Sequence, residues 1–245
     1  VLIAIAPAAG RAQAFNPVAD PKAVIVAGQA RFTVLTPQLI RMEWADNSQF
    51  EDHASLVFIH RRLPIPSFTT TSEGDWLVLK TSKLELRYAK NGRFTPENLL
   101  VRFDVGGRPS EWRPGMDDKG NLGGTLRTLD GVKGSAPLEP GLLSRDGWVL
   151  VDDSQRPIFD NSDWPWVMPR PQGQRQDWYL FAYGHEYKTA LRDFTLMAGK
   201  IPLPPRFAFG TWWSRYWSYT NQEFESLVRQ FQQHDVPLDV LVIDM

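Results

Sequence analysis

The alternation of apolar and polar positions changes character once along this chain. From about residue 17 to residue 182 the apolar runs are short and separated by turn-forming residues. Phe32-Thr33-Val34-Leu35 and Leu39-Ile40-Arg41-Met42-Glu43-Trp44 flank Thr36-Pro37-Gln38. In the second run Ile40, Met42 and Trp44 share one side of a strand, and Arg41 and Glu43 share the other. That is the period-two pattern of a half-buried strand. Residues 76–80, 84–88, 99–103, 148–151 and 177–182 read as further strands. Asn91-Gly92 predicts a hairpin turn, because both residues tolerate positive φ. Many short strands at this spacing predict an antiparallel β-sandwich.

Two stretches carry no regular period. Residues 111–134 are rich in Gly, Asp and Lys and read as a long irregular loop. Residues 157–173 hold four prolines and two tryptophans, which predicts an extended segment packed by its aromatics. Residues 187–197 read as a helix, followed by Ile201-Pro202-Leu203-Pro204-Pro205. Three prolines in five residues block both helix and ladder, so a domain boundary is placed there.

Beyond the prolines the pattern is strand, helix, strand. Phe207-Ala208-Phe209-Gly210-Thr211-Trp212-Trp213 reads as the first strand and Leu238-Asp239-Val240-Leu241-Val242-Ile243-Asp244 as the second. Between them Thr220 and Glu223 have capping-box spacing, and Phe224, Leu227, Val228 and Phe231 form one helical stripe. This is the opening of a parallel α/β domain. The expected organisation is therefore a signal remnant over 1–14, a β-sandwich over 15–200, and the first β-α-β of an incomplete (β/α)8 barrel over 201–245. The fold class is mostly β. A lone β-α-β unit cannot cover both faces of its sheet, so the chain is expected to be a fragment.

Composition adds boundaries. A net charge of −1 gives no field that would gather nucleic acid. There is no cysteine, which excludes disulfides and thiolate zinc sites. His185-Glu186 lacks the second histidine of a helical zinc motif, and His53, His60 and His234 stand alone as surface residues in this reading. No cofactor is expected. Val1-Leu2-Ile3-Ala4-Ile5-Ala6 followed by Ala12-Gln13-Ala14 matches the apolar core and cleavage site of a secretory signal, predicting export with cleavage after Ala14. The run is too short to span a bilayer. A buried N-terminal strand is the competing reading.

Candidate chemistry gathers late. Seven of the ten tryptophans lie between Trp148 and Trp217. Trp212, Trp213, Arg215, Tyr216, Trp217 and Tyr219 sit at or beyond the end of the first late strand, where flat rings can pack on the C–H faces of a sugar. Core packing is the heavier alternative at any single one. Asp244 ends the second late strand, the end where barrel enzymes gather substrate and catalytic groups; a carboxylate there can accept from ligand hydroxyls. A cap for a following element is the equal alternative. Asp152-Asp153 follows the strand over 148–151. Adjacent strand residues face opposite ways, so only one of the pair, such as Asp153, can reach a pocket, and a solvated turn is the heavier reading.

Several of these residues carry a family resemblance. Leu203-Pro204-Pro205-Arg206-Phe207-Ala208-Phe209-Gly210-Thr211-Trp212-Trp213-Ser214-Arg215 resembles the start of the catalytic barrel of glycoside hydrolase family 31, and so does Val236-Pro237-Leu238-Asp239-Val240-Leu241-Val242-Ile243-Asp244-Met245. Gly141-Leu142-Leu143-Ser144-Arg145-Asp146-Gly147-Trp148 with Asp152-Asp153-Ser154 is similar to that family's N-terminal domain. The resemblance implies a β-sandwich, a (β/α)8 barrel and C-terminal β domains, with retaining α-glycosidases as the commonest activity. It implies that Asp244 binds hydroxyls of the sugar at the cleavage subsite and that Trp217 is an aromatic near it. The family's nucleophile and acid/base aspartates lie on later strands, so residues 1–245 alone are expected to be inactive. The substrate-binding candidates are thus Asp244, Trp217, Trp212 and Asp153, with carbohydrate as partner and neither nucleic acid nor a membrane span. A non-catalytic carbohydrate-binding sandwich is the alternative.

Overall fold

The computed structural model describes residues 15–90, 92–126 and 128–243. The secretory-signal reading of residues 1–14 and the Asp244 site fall outside them. The chain divides into two compact units between Lys200 and Ile201.

The first unit holds twelve strands and one helix among the described residues: β1 (Val24–Ala27), β2 (Ala30–Thr36), β3 (Leu39–Ala45), β4 (Phe68–Glu73), β5 (Trp76–Thr81), β6 (Leu84–Ala89), β7 (Leu99–Val105), β8 (Arg108–Trp112), β9 (Val149–Asp152), β10 (Ile158–Phe159), β11 (Val167–Met168), β12 (Arg175–Phe181) and α1 (Tyr187–Ala198). Two five-stranded antiparallel sheets form, in the orders β1-β2-β3-β12-β9 and β4-β5-β6-β7-β8. Phe32, Ile40, Met42 and Leu180 of the first sheet share one core with Leu79, Leu86, Tyr88, Val101 and Trp112 of the second. Each such side chain, fully enclosed, contributes roughly 1.5–3 kcal/mol. This is the antiparallel sandwich that the short alternating runs predict.

Strand β3 departs from expectation. It is buried on both faces, Arg41 and Glu43 included. Its outer side is covered because Leu39 joins Leu35, Phe58, Tyr179, Phe181 and Ala190 in a second apolar cluster, to which α1 also brings Met197.

Other corrections follow from local chemistry. The loop expected from residue 111 begins later, because β8 takes in Glu111 and Trp112; Gly106 and Gly107, at φ 61° and 83°, turn β7 into it. The connection from β6 to β7 runs over residues 90–98 rather than a two-residue turn; Gly92 has φ 72°, and Asn91 lies outside the described residues. Residues 157–173 do not bury their two tryptophans. They contain the β10–β11 hairpin, and Trp164 and Trp166 stay 81% and 69% exposed.

The long connection over 113–148 is irregular but pinned. Asn121 accepts from the Gly123 and Gly141 amides at 2.9 and 2.7 Å and donates to Asp118 at 2.6 Å. The Ser144 hydroxyl also donates to Asp118. Gly141 is required where the two arms cross, because a Cβ there would run into the Gly123 carbonyl.

The second unit is a parallel β-α-β. A 3-10 turn (Arg206–Phe209) leads to β13 (Trp212–Trp213), α2 (Asn221–Gln233) and β14 (Val240–Leu241). Trp212 pairs with Val240 and Trp213 with Leu241, in parallel. The strand expected over 207–213 is shorter than its apolar pattern. Pro204-Pro205 feed the chain into a 3-10 turn, and Gly210 restores extended backbone only at its end. The capping box at Thr220 and Glu223 forms in both directions. No described helix is long and apolar enough to cross a membrane.

Candidate functional site

In the second unit the loop beyond β13 is built around tryptophan. The start of the strand pair is tied by Asp239, whose carboxylate accepts from the Thr211 amide at 2.8 Å. Gly210 leaves room for that carboxylate, since a Cβ there would collide with it. The Thr211 carbonyl takes the amides of Asp239 and Val240, and the Trp213 carbonyl takes the amide of Val242 at 2.9 Å.

The aromatic cluster then separates by role. Trp213 stands edge-on to Phe231 with ring centroids 5.5 Å apart, and Tyr219 packs on Phe224 at 4.7 Å, so both serve the apolar stripe of α2. Trp212, Tyr216 and Trp217 remain about half exposed or more. The Arg215 guanidinium lies 4.5 Å over the Trp217 ring, a cation–π contact that holds one indole face and leaves the other free. The Trp212 indole N–H donates to the Ala208 carbonyl at 3.3 Å, which fixes its ring plane. Two candidates, Trp212 and Trp217, therefore offer ring surface to solvent on one short segment. Asp244 follows β14 in sequence but lies outside the described residues.

Asp153 belongs to a different environment in the first unit. The solvated turn expected for Asp152-Asp153 holds only for Asp152; Asp153 is fully enclosed. Chain direction changes at the end of β9, where Asp152 accepts from the Ser154 amide and hydroxyl, and this turns Asp153 inward. There it meets Arg170 at 2.8 Å, and Arg170 also reaches Asp177 at 3.0 Å. Asp177 accepts two bonds of 2.8 Å from Arg41, which lies 3.1 Å from Glu43, itself paired with Arg31. Arg61 donates to the Tyr179 hydroxyl at 2.6 Å on the same face. Burial alone would push the Asp177 carboxyl up, but the Arg41 guanidinium, with Arg170 and Arg61, holds it well below the usual carboxylate range. Asp153 goes the other way: burial, then the Asp177 charge, pushes it up to about 6 against the pull of Arg170. Sequence reading missed this network, because its members look like the wet face of separate strands.

A cleft of about 650 Å³ in the first unit is framed by Asp118, Glu139, Trp148, Asp152, Arg156 and Phe194. His53 pairs with Glu51 at 2.6 Å and His185 with the Arg145 carbonyl at 3.0 Å. Among the described residues no three His, Asp or Glu side chains gather at metal-binding spacing.

Comparison with known proteins points one way. Residues 201–245 match the family model described as the glycosyl hydrolases family 31 TIM-barrel domain. The chain is 39% identical over 74 residues to alpha-glucosidase 2 of Bacillus thermoamyloliquefaciens, covering 30% of this chain and 9% of that protein. It is 35% identical over 112 residues to alpha-xylosidase XylQ of Lactiplantibacillus pentosus, covering 43% and 14%. In fold it resembles the family 31 dextranase of Flavobacterium johnsoniae complexed with glucose, with TM-score 0.55, 15% identity, and coverage of 96% of this chain and 34% of that one. It also resembles the family 31 alpha-xylosidase of Xanthomonas citri, with TM-score 0.54, 12% identity, and coverage of 96% and 45%. The chain thus spans a minor part of each of these relatives.

Proposed function

We propose that this chain belongs to glycoside hydrolase family 31, as its matches to that family's barrel and to an alpha-glucosidase and an alpha-xylosidase support, and that it forms the N-terminal part of an exported retaining α-glycosidase acting on α-glucoside-type substrates. The observation that carries the reading is the second unit. Its sequence matches the family's barrel, and its β-α-β places half-exposed Trp212, Tyr216 and Trp217 at or just beyond the end of β13. In barrel enzymes substrate gathers at the C-terminal ends of the strands. Trp217, backed by Arg215, and Trp212 would stack on the apolar face of a pyranose ring, and the Asp244 carboxylate would accept from its hydroxyls.

Retaining hydrolysis needs two carboxyl groups about 5–5.5 Å apart across the bond. The Asp153 and Asp177 pair does not supply them, because both are enclosed and bound to Arg170. The nucleophile and the acid/base are therefore assigned outside residues 1–245. The test is hydrolysis of p-nitrophenyl α-glucoside and α-xyloside by the gene product containing this chain and by residues 1–245 alone. Turnover with net retention is expected from the former and none from the latter. Asp244→Ala should lower kcat/KM roughly 10- to 150-fold, the worth of one hydrogen bond to a charged group. Turnover by residues 1–245, or an unaltered kcat/KM in the variant, would refute the assignment.

Export is supported by the apolar run over residues 1–6 and by Ala12-Gln13-Ala14. Secretion in a Gram-negative host should yield mature protein beginning at Phe15. Edman sequencing checks this, and cytoplasmic retention with residues 1–14 intact would contradict it.

A further inference from the structure

We propose that the tip of the β10–β11 hairpin, in the sandwich unit, is a surface site for a neutral α-linked oligosaccharide, with Trp164 and Trp166 as its platform. The hairpin pairs only two residues on each strand, Ile158 with Met168 and Phe159 with Val167, yet its tip is firmly built. The Asp160 carboxylate accepts from the Ser162 hydroxyl at 2.6 Å and from the Trp166 amide at 3.0 Å, and the Asp160 amide donates to the Trp166 carbonyl at 2.9 Å. Pro165 stiffens the two-residue step between the tryptophans. Two large indoles are thus held 81% and 69% exposed on an ordered scaffold. Burying such rings is worth much in a core, so their presentation to solvent on a fixed turn needs an occupant.

The surroundings select among occupants. Residues 158–168 contain Asp160 and Asp163 and no Lys or Arg. Single-stranded nucleic acid needs basic groups along its backbone beside the stacking rings, and an anionic membrane leaflet attracts basic residues, not carboxylates. The two rings present roughly 300–400 Å², half or less of the ~800 Å² per partner in a stable protein interface. A ligand with an apolar C–H face and a rim of hydroxyls fits what remains. The rings take the face, and the exposed Asp163, with Asn161 and Ser162 beside it, can hydrogen-bond the rim. Because the site is pre-ordered, binding loses little freedom at the protein. The choice of α-linked probes rests on the α-glycosidase reading above.

Indole N–H signals of the 15N-labelled chain, assigned with Trp164→Phe and Trp166→Phe, test this directly. Titration with maltotriose and with isomaltotriose should shift both signals saturably in the millimolar range, whereas sorbitol should not. Trp164→Ala with Trp166→Ala should weaken binding at least tenfold while the remaining spectrum shows the fold intact, and Trp217→Ala should leave the two shifts in place. Silence at Trp164 and Trp166 with either sugar would overturn the proposal. If Trp212 and Trp217 responded in that case, the glycosidase reading would stand without it. Shifts on raising protein concentration alone, or partition onto phosphatidylcholine vesicles that depends on the two tryptophans, would also overturn it, by assigning the surface to a second copy or to lipid.

Discussion

Arg41→Ala is expected to lower the unfolding free energy of the sandwich by about 3–5 kcal/mol, the cost of stranding one partner of a buried ion pair. Arg41 is 1% exposed on β3 and gives two hydrogen bonds of 2.8 Å to Asp177 on β12, the strand paired beside it. It also donates to the Glu51 carbonyl at 2.9 Å, tying the segment after β3 onto the sheet. Removing the guanidinium leaves Asp177 fully buried with Arg170 as its remaining ion-pair partner, and Glu43 with Arg31. The loss arises from those uncompensated charges, not from a large net worth of the pair, since desolvating both ions offsets much of their attraction. A double-mutant cycle with Asp177→Asn separates the two contributions. The double variant should be less destabilised than the sum of the singles, because neither charge is then left alone. Urea unfolding followed by tryptophan fluorescence reads both quantities. Additive losses below 1 kcal/mol each would mean that the network is wet and loosely held.

The fate of this network shows where sequence reading stops. Ile40, Met42 and Trp44 announce one face of β3 by strict alternation, and that face does meet the opposite sheet. The same alternation makes Arg41 and Glu43 look solvated. Nothing local says that Phe58, from the segment after β3, and Ala190 and Met197, from α1, will close over the outer face. Burial of a charge is decided by elements distant in sequence, here by Asp177, 136 residues away. The capping box of α2 was legible for the opposite reason: Thr220 and Glu223 satisfy each other within one turn. The aromatic cluster near β13 was legible as a group and not in its parts. Trp212, Trp213 and Trp217 have the same composition and near-identical neighbours, yet only Trp213 packs edge-on to Phe231 on α2, as the helix register places it. Misreading residues 207–213 as one strand came from weighing apolar content above the two prolines that precede it. Trp164 and Trp166 were expected to pack because tryptophan usually does; the polar turn fixed by Asp160 holds them out instead.

Stability of the sandwich should peak near pH 4 and fall toward pH 6, with Asp153 as the cause. Its carboxyl is raised from the ordinary 3.8 to about 6, first by burial and then by the Asp177 charge, with Arg170 opposing. Between about pH 4 and 6 the folded state therefore holds a proton that the unfolded chain has already released. For a raised carboxyl the stabilising contribution is complete below the unfolded value and disappears as pH climbs through the folded one. A shift of this size corresponds to about 3 kcal/mol lost across that window. Asp177 acts with the opposite sign: its carboxyl is depressed, so it stabilises above pH 4 and that contribution fades on further acidification. The two slopes meet near pH 4. Around Asp153 the charged neighbours are Asp177 on β12, Arg170 after β11, Arg156 after β9 and Arg61 before β4. Asp153→Asn keeps an acceptor for Arg170 and removes the titration. It should flatten the decline between pH 4 and 6 and leave the acid limb of Asp177 untouched. Urea midpoints measured from pH 3.5 to 8 decide the matter. A wild-type stability that climbs steadily from pH 4.5 to 7, or a variant that keeps the wild-type decline, would show that Asp153 is charged and solvated in the folded protein.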